Sequence, residues 1–314
     1  MFNLNWGLLC ENTAFINQLS MQIRFFPEQS AACCHAYRML GMDIFSDYPL
    51  QDLSSFKSPS EDFPCPQIFD TEKENRGDWN ASNQFQGEMH GEIYQFELSI
   101  GPQFKRLTLP GVADYYIAQD GSVIYSCRTK GSTPTPLEIA GLLGPAFILA
   151  NLDQNIFFLH ASAVLGENGA TIFCAHSGVG KSTIAHSIDQ ASADLCQIAD
   201  DLVALESRPG QIPQCLVYNY QPKFPHMSGD PELPEVTNIE RIIFLDLNHD
   251  STNLRSDLFY RLCNSVMGSN IPAKNYISRV NQFCKEVLET TPCMVQSYSH
   301  NVESIEGVLR LITE

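Results

Sequence analysis

Residues 175–183 read Ala175-His176-Ser177-Gly178-Val179-Gly180-Lys181-Ser182-Thr183, directly after the apolar run Ala170-Thr171-Ile172-Phe173-Cys174. A strand that runs into a glycine-rich turn closed by a Lys-Ser pair makes a cradle for phosphates. Glycines let the backbone take positive φ, so successive N–H groups can turn inward toward an anion. The helix that follows adds the positive end of its dipole. In such a loop Lys181 reaches the outer phosphates, and the Ser182 hydroxyl can hold Mg²⁺. The first position of the pattern, ordinarily glycine, is Ala175 here.

Two further groups could act with the loop. His160 lies in Phe158-Leu159-His160-Ala161-Ser162-Ala163-Val164, and Asp200-Asp201 closes Ile198-Ala199-Asp200-Asp201, one helix and one strand beyond Lys181. Phosphoryl transfer needs a phosphate cradle, a metal, and a group that orients or deprotonates the acceptor. One aspartate can serve as the base toward an acceptor hydroxyl while the other binds Mg²⁺, and a neighbouring histidine can tune the base. Alone, a histidine in an apolar strand is commonly a core residue, and an Asp pair is commonly a turn or a cap. Their weight comes from occurring together around the loop.

The elements that must position these groups follow from periodicity. Ile156–Leu165 reads as one strand, Gly166-Glu167-Asn168-Gly169 as a turn and Ala170–Cys174 as its hairpin partner. A helix is expected over Lys181–Gln190, then short strands at Leu195–Ala199 and Leu202–Glu206. A strongly apolar strand follows at Glu240–Leu247, then helices at 252–268 and 272–289, a last strand at Cys293–Tyr298 and a last helix at Val302–Ile312. Upstream, Glu92–Ile100 alternates as a half-buried strand does. Asp114–Ala118 and Ser122–Cys127 flank Gln119-Asp120-Gly121, a hairpin signal. Residues 137–152 read as a buried helix. Residues 45–90, rich in Ser, Asp, Glu, Asn, Pro and Gln, read as a long loop or linker, with a strand near Met21–Phe26 and a helix after it, through Gln29–Leu40. The organisation expected is an N-terminal region at 1–90 and a domain at 91–314 whose β-rich lead-in spans 91–150.

Composition limits the function classes. With 19 basic against 36 acidic residues the net charge is −17, which repels nucleic-acid backbones. No run of about 18 consecutive apolar residues appears, against a membrane span, and the N-terminal residues carry no secretory pattern. The 11 cysteines form no CxxC pair and include several inside apolar runs, which fits a reduced cytoplasm better than a disulfide scaffold.

At FLHASAV, SGVGKST and IADDLVALE the chain resembles the HPr kinase/phosphorylase family, in which a histidine, the loop and an Ala-Asp-Asp strand end occur in that order. The run ERIIFLDL and the C-terminal TPCMVQSYSHNVESIEGVLRLI resemble the tail of shorter members, including kinases that modify peptides in biosynthetic clusters. The resemblance covers roughly residues 91–314, with specific motifs at 158–206. It implies an α/β fold (α+β, with a mixed sheet), the phosphoenolpyruvate carboxykinase-like P-loop kinase domain, preceded by a smaller N-terminal α+β region. It implies ATP and Mg²⁺ as cofactors, with Ser177, Gly178, Val179, Gly180, Lys181, Ser182 and Thr183 on the nucleotide. Asp200 would be the general base with His160 beside it, and Asp201 and Ser182 the Mg²⁺ ligands. The glycine-rich signature loop of HPr kinases has no counterpart in Glu206–Phe224, where Gly210 is the one glycine. A narrower kinase, acting on a serine-type hydroxyl of a protein or peptide, is therefore implied; related kinases often assemble, which allows a homo-oligomer. The alternative is a catalytically silent nucleotide-binding regulator, or an interaction protein of the same fold.

Overall fold

The computed structural model describes residues 2–4, 35–39, 42–46, 83–89, 92–102, 104–121, 123–128, 135–217, 233–247, 254–269, 271, 274–299 and 301–313. The chain divides into two compact units, Met1–Gln154 with Ile271–Ala273, and Asn155–Asn270 with Lys274–Glu314. Together they are a mixed α/β structure.

The first unit is built on an antiparallel sheet ordered β2-β3-β1-β8-β7-β6-β5-β4. Its strands are β1 (Phe2–Leu4), β2 (His35–Met39), β3 (Met42–Ser46), β4 (Asn83–Met89), β5 (Glu92–Ile100), β6 (Phe104–Leu109), β7 (Ala113–Ala118) and β8 (Val123–Arg128). The expected hairpin at Gln119-Asp120-Gly121 joins β7 to β8, with Ile117 opposite Ile124. The expected helix at 137–152 runs as α1 (Pro136–Gly141), a π-helical segment (Leu142–Ala146) and α2 (Phe147–Asp153). Pro145, which has no N–H to give the ladder, sits inside the π segment. Thr135 and Glu138 cap the start reciprocally. This run is long and apolar enough to cross a membrane by composition, with mean hydropathy 1.2. Its apolar side chains Leu142, Leu143, Phe147, Leu149 and Leu152 are nonetheless buried, and the Tyr115 hydroxyl on β7 donates to the Glu138 carbonyl at 2.7 Å.

Gly121 sits at φ +73, and a side chain there would press into the Ala150 carbonyl. Gly121→Ala therefore combines left-handed strain with a backbone collision. A loss of at least about 2 kcal/mol is expected, read as a lower urea midpoint.

Several expectations are corrected here. His35–Met39 is a strand paired with β3 rather than part of a helix, because cross-strand pairing overrides the helical propensity of the segment; 21–34 lies outside the described residues. The loop expected over 45–90 ends in β4, an edge strand held to β5 by its backbone, which polar side chains do not prevent; 47–82 lies outside the described residues. β4 and β5 pair across residue 90, and the first compact unit runs to Gln154. β6 lies within the β-rich lead-in expected at 91–150, which did not single it out.

The second unit carries β9 (Ile156–Leu159), β10 (Ala161–Gly166), β11 (Gly169–Cys174), β12 (Cys196–Asp200), β13 (Val203–Glu206), β14 (Gln214–Leu216), β15 (Val236–Asp246) and β16 (Cys293–Ser297). Their order is β12-β10-β11-β15-β14-β13-β9, with β16 also paired to β15. The sheet is mixed: β10–β11 is an antiparallel hairpin, whereas β11 and β16 run parallel to β15. Its helices are α3 (Lys181–Ala191), α4 (Arg255–Ser265), α5 (Lys274–Thr290) and α6 (Val302–Thr313). Alternation of strand side chains sorts the layers. Phe173 packs with Ile184 and Ile188 of α3 and Val308 and Ile312 of α6, whereas its neighbour Cys174 faces Ser265 of α4. Phe157 of β9 stacks on Phe283 of α5 with ring centroids 4.1 Å apart.

The single strand expected over Ile156–Leu165 is broken at His160. β9 pairs with β13, and β10 with β11 and β12. At the break the His160 amide leaves the ladder and donates to the Ser265 carbonyl at 2.8 Å.

Burial pushes the thiols of Cys174 and Cys215 up to about 12; at Cys174 the Ser265 bond and the Lys181 charge pull the other way. Unfolded, both titrate near 9. Below that value both states hold the proton. Above it the unfolded chain loses its protons first, so stability falls with pH by about 1.4 kcal/mol per pH unit for each thiol. Denaturant midpoints taken at pH 8 and 10.5 should differ, and less so in Cys215→Ala.

Candidate active site

β11 ends at Cys174 and α3 begins at Lys181, so residues 175–180 form the loop between them. Gly178 and Gly180 take φ +82 and +101, the left-handed conformations that the glycines of this pattern supply. Gly180 is the helix N-cap and offers no side-chain cap, which leaves the first-turn N–H groups without a side-chain acceptor at the cap. Among the described residues the non-glycine residues at positive φ are Asn155 and Asp201. Ala175 therefore sits in ordinary backbone, and alanine in place of glycine costs the turn nothing.

Lys181 is 6 % exposed. Its ammonium donates to the carbonyls of Ala175 (3.0 Å) and His176 (3.4 Å), lying across the loop it follows. His176, Ser177 and Gly178 are exposed, Val179 is buried, Ser182 is half-buried and Thr183 exposed in the first turn of α3. Loop and helix thus combine turned-in backbone, a helix N-terminus, a cation and a hydroxyl. That donor set fits a nucleotide polyphosphate.

Strand register brings the other groups to the same end of the sheet. Ala161 lies opposite Cys174, so His160 stands beside the entry to the loop. Ser162 lies opposite Asp200, so β12 delivers Asp200 and Asp201 to that end as well. A register shift between Ala163 and Val164 adjusts the pairing just below.

The two aspartates differ in setting. Asp200 is 2 % exposed and accepts a 2.7 Å hydrogen bond from the Ser162 hydroxyl. Asp201 has φ +76, a left-handed position for a residue with a side chain, costing about 1–2 kcal/mol. Its carboxylate lies 3.9 Å from His160 Nε2, and these side chains are 25 % and 37 % exposed. Among the described residues no three His, Cys, Asp or Glu side chains converge as a self-sufficient metal site. A nucleotide-bound Mg²⁺ uses one or two protein ligands with phosphate oxygens and water, and Ser182 and Asp201 fit that lighter demand.

Four side chains around this end of the sheet, Ser162, Asp246, Asp257 and Arg261, were not singled out in the sequence. Ser162 holds Asp200. Asp246 ends β15, which runs parallel to β11 with Phe244 opposite Cys174, so it reaches the same sheet end. It binds Arg261 at 2.7 Å, and Asp257 binds the same guanidinium at 2.9 Å. Burial opposes the Arg261 charge, and the bonds to Asp257 and Asp246 more than offset it, raising its pKa. The signal for Asp246 was the apolar run 242–245 stopping at a carboxylate.

No protein-family model matches the chain, and no curated protein matches it. Among solved structures, the Hpr(Ser) kinase/phosphatase from Coxiella burnetii superposes with a TM-score of 0.30 and 11% sequence identity, over 50% of this chain and 88% of that one. A superposition that loose carries no argument. The function has to be read from the site's own geometry.

Proposed function

We propose that this chain is an ATP-dependent kinase that phosphorylates a serine-type hydroxyl of a protein or peptide, through a phosphoenolpyruvate carboxykinase-like P-loop domain. The carrying observation is the convergence at one sheet end of the loop 175–180, the ammonium of Lys181, His160 and the Asp200–Asp201 pair.

Ser177 through Thr183 bind the phosphates with backbone N–H groups and the Ser182 and Thr183 hydroxyls, and Lys181 neutralises the outer phosphate oxygens. Ser182 and Asp201 hold Mg²⁺. When bound, Mg-ATP supplies the phosphoryl group. Asp200 takes the proton of the acceptor hydroxyl, with Ser162 fixing its rotamer. His160, paired with Asp201, orients the second carboxylate and carries positive charge toward the acceptor when protonated. The strongly acidic composition supports a protein or peptide acceptor rather than a nucleic acid.

One observation favours a second assignment within the same reaction. Asp201 is the more exposed aspartate and lies 3.9 Å from His160, so Asp201 and His160 would share the acceptor proton, with Asp200 a positioning residue.

Titration calorimetry with ATP and with its non-hydrolysable analogue, each with and without Mg²⁺, tests the reading. Binding that strengthens with Mg²⁺ is expected. No binding of either nucleotide would remove both the kinase and the regulator readings. Binding without transfer to any acceptor would leave the regulator.

A further inference from the structure

Outside the candidate site, α4 and α5 bring two thiols together. Cys263 on α4 is half-buried, and its sulfur lies 3.8 Å from Asn281 Oδ1 on α5. Asn281 sits three residues ahead of Cys284, hence on the same helical face. Cys284, one helical turn beyond Asn281 on the face toward Cys263, is fully buried, and each thiol shifts the pKa of the other. Neither is bridged.

We propose that Cys263 and Cys284 form a peroxide-responsive pair that closes to a disulfide between α4 and α5. Cys263 is the attacking sulfur. It is the reachable member, and the hydrogen bond from Cys284 lowers its pKa although burial pushes the other way. In Cys284 that bond and burial both raise it, so the proton stays there. The thiolate of Cys263 attacks one oxygen of a hydroperoxide. The O–O bond breaks, the second oxygen leaves as hydroxide or alkoxide and takes a proton from water, and Cys263 becomes a sulfenic acid. The Cys284 sulfur then attacks the Cys263 sulfur. The S–O bond breaks, and water departs with the Cys284 proton. Two thiols lose two electrons and the peroxide gains them; a dithiol reverses the step by exchange. The bridge would pin the last turn of α4, whose Ser265 carbonyl holds the His160 amide.

The full chain, reduced and then given a few equivalents of hydrogen peroxide, is alkylated in denaturant, digested and mapped by mass spectrometry. A peptide linking Cys263 to Cys284, lost on adding dithiothreitol, is expected. The link disappears in Cys263→Ser. In Cys284→Ala, Cys263 stops at the sulfenic acid, which dimedone traps. Amide exchange at His160 slows severalfold in the oxidised wild type. Recovery of both residues alkylated after peroxide, or of Cys263 oxidised only to the sulfinic acid or joined to another cysteine, overturns the proposal.

Discussion

Asp200→Asn slows phosphoryl transfer from ATP by about 10²- to 10⁴-fold, the range for loss of a positioned general base, while ATP binding changes by less than about threefold. Asparagine keeps the shape of aspartate, and its amide oxygen can still accept the Ser162 hydroxyl that now lies 2.7 Å from Asp200 Oδ1. What it loses is the capacity to take a proton. Single-turnover transfer beside calorimetric ATP binding separates the two effects. Asp201→Asn distinguishes the two assignments of the base. If Asp201 holds Mg²⁺, its loss raises the Mg²⁺ concentration needed for half-maximal transfer, and excess Mg²⁺ restores part of the rate. If Asp201 is the base beside His160, its own loss costs about 10²- to 10⁴-fold, Mg²⁺ restores none of it, and Asp200→Asn costs less.

Lys181→Ala weakens ATP binding by about 10²-fold, as expected for losing a charge-assisted bond of about 3 kcal/mol. The ammonium also ties the loop, through the carbonyls of Ala175 and His176, so the variant loses an organiser of the cradle along with a charge. Lys181 is nearly buried, so some loss of stability accompanies the change. Lys181→Met, which keeps the aliphatic stem, separates packing from charge. It should hold the thermal midpoint better than alanine and bind ATP no better.

The parts of this site that sequence made legible are those written in local chemistry. Gly178 and Gly180 announce left-handed backbone, and both take it. Asp120-Gly121 announces a tight turn and makes one. Apolar runs such as 170–174 and 242–245 announce buried strands. What escaped depends on which strand meets which. In Ile156–Leu165, apolar but for His160 and Ser162, no turn residue marks a break; the break exists because β9 and β10 take different neighbours. The Ser162–Asp200 bond follows from the register of β10 against β12. The Arg261–Asp246 pair needs α4 folded back over the sheet. His35–Met39 and Asn83–Met89 are strands through backbone pairing that their side chains do not advertise.

The most direct measurement follows the terminal phosphate. The wild-type chain, Mg²⁺ and ATP labelled in the γ-phosphate are incubated with a serine-presenting peptide library, beside Lys181→Ala and Asp200→Asn. The account predicts Mg²⁺-dependent label on serine hydroxyls with wild type and loss of about two orders of magnitude or more in each variant. Label transfer that persists unchanged in Asp200→Asn, or wild type that binds Mg-ATP and labels no acceptor, would contradict it.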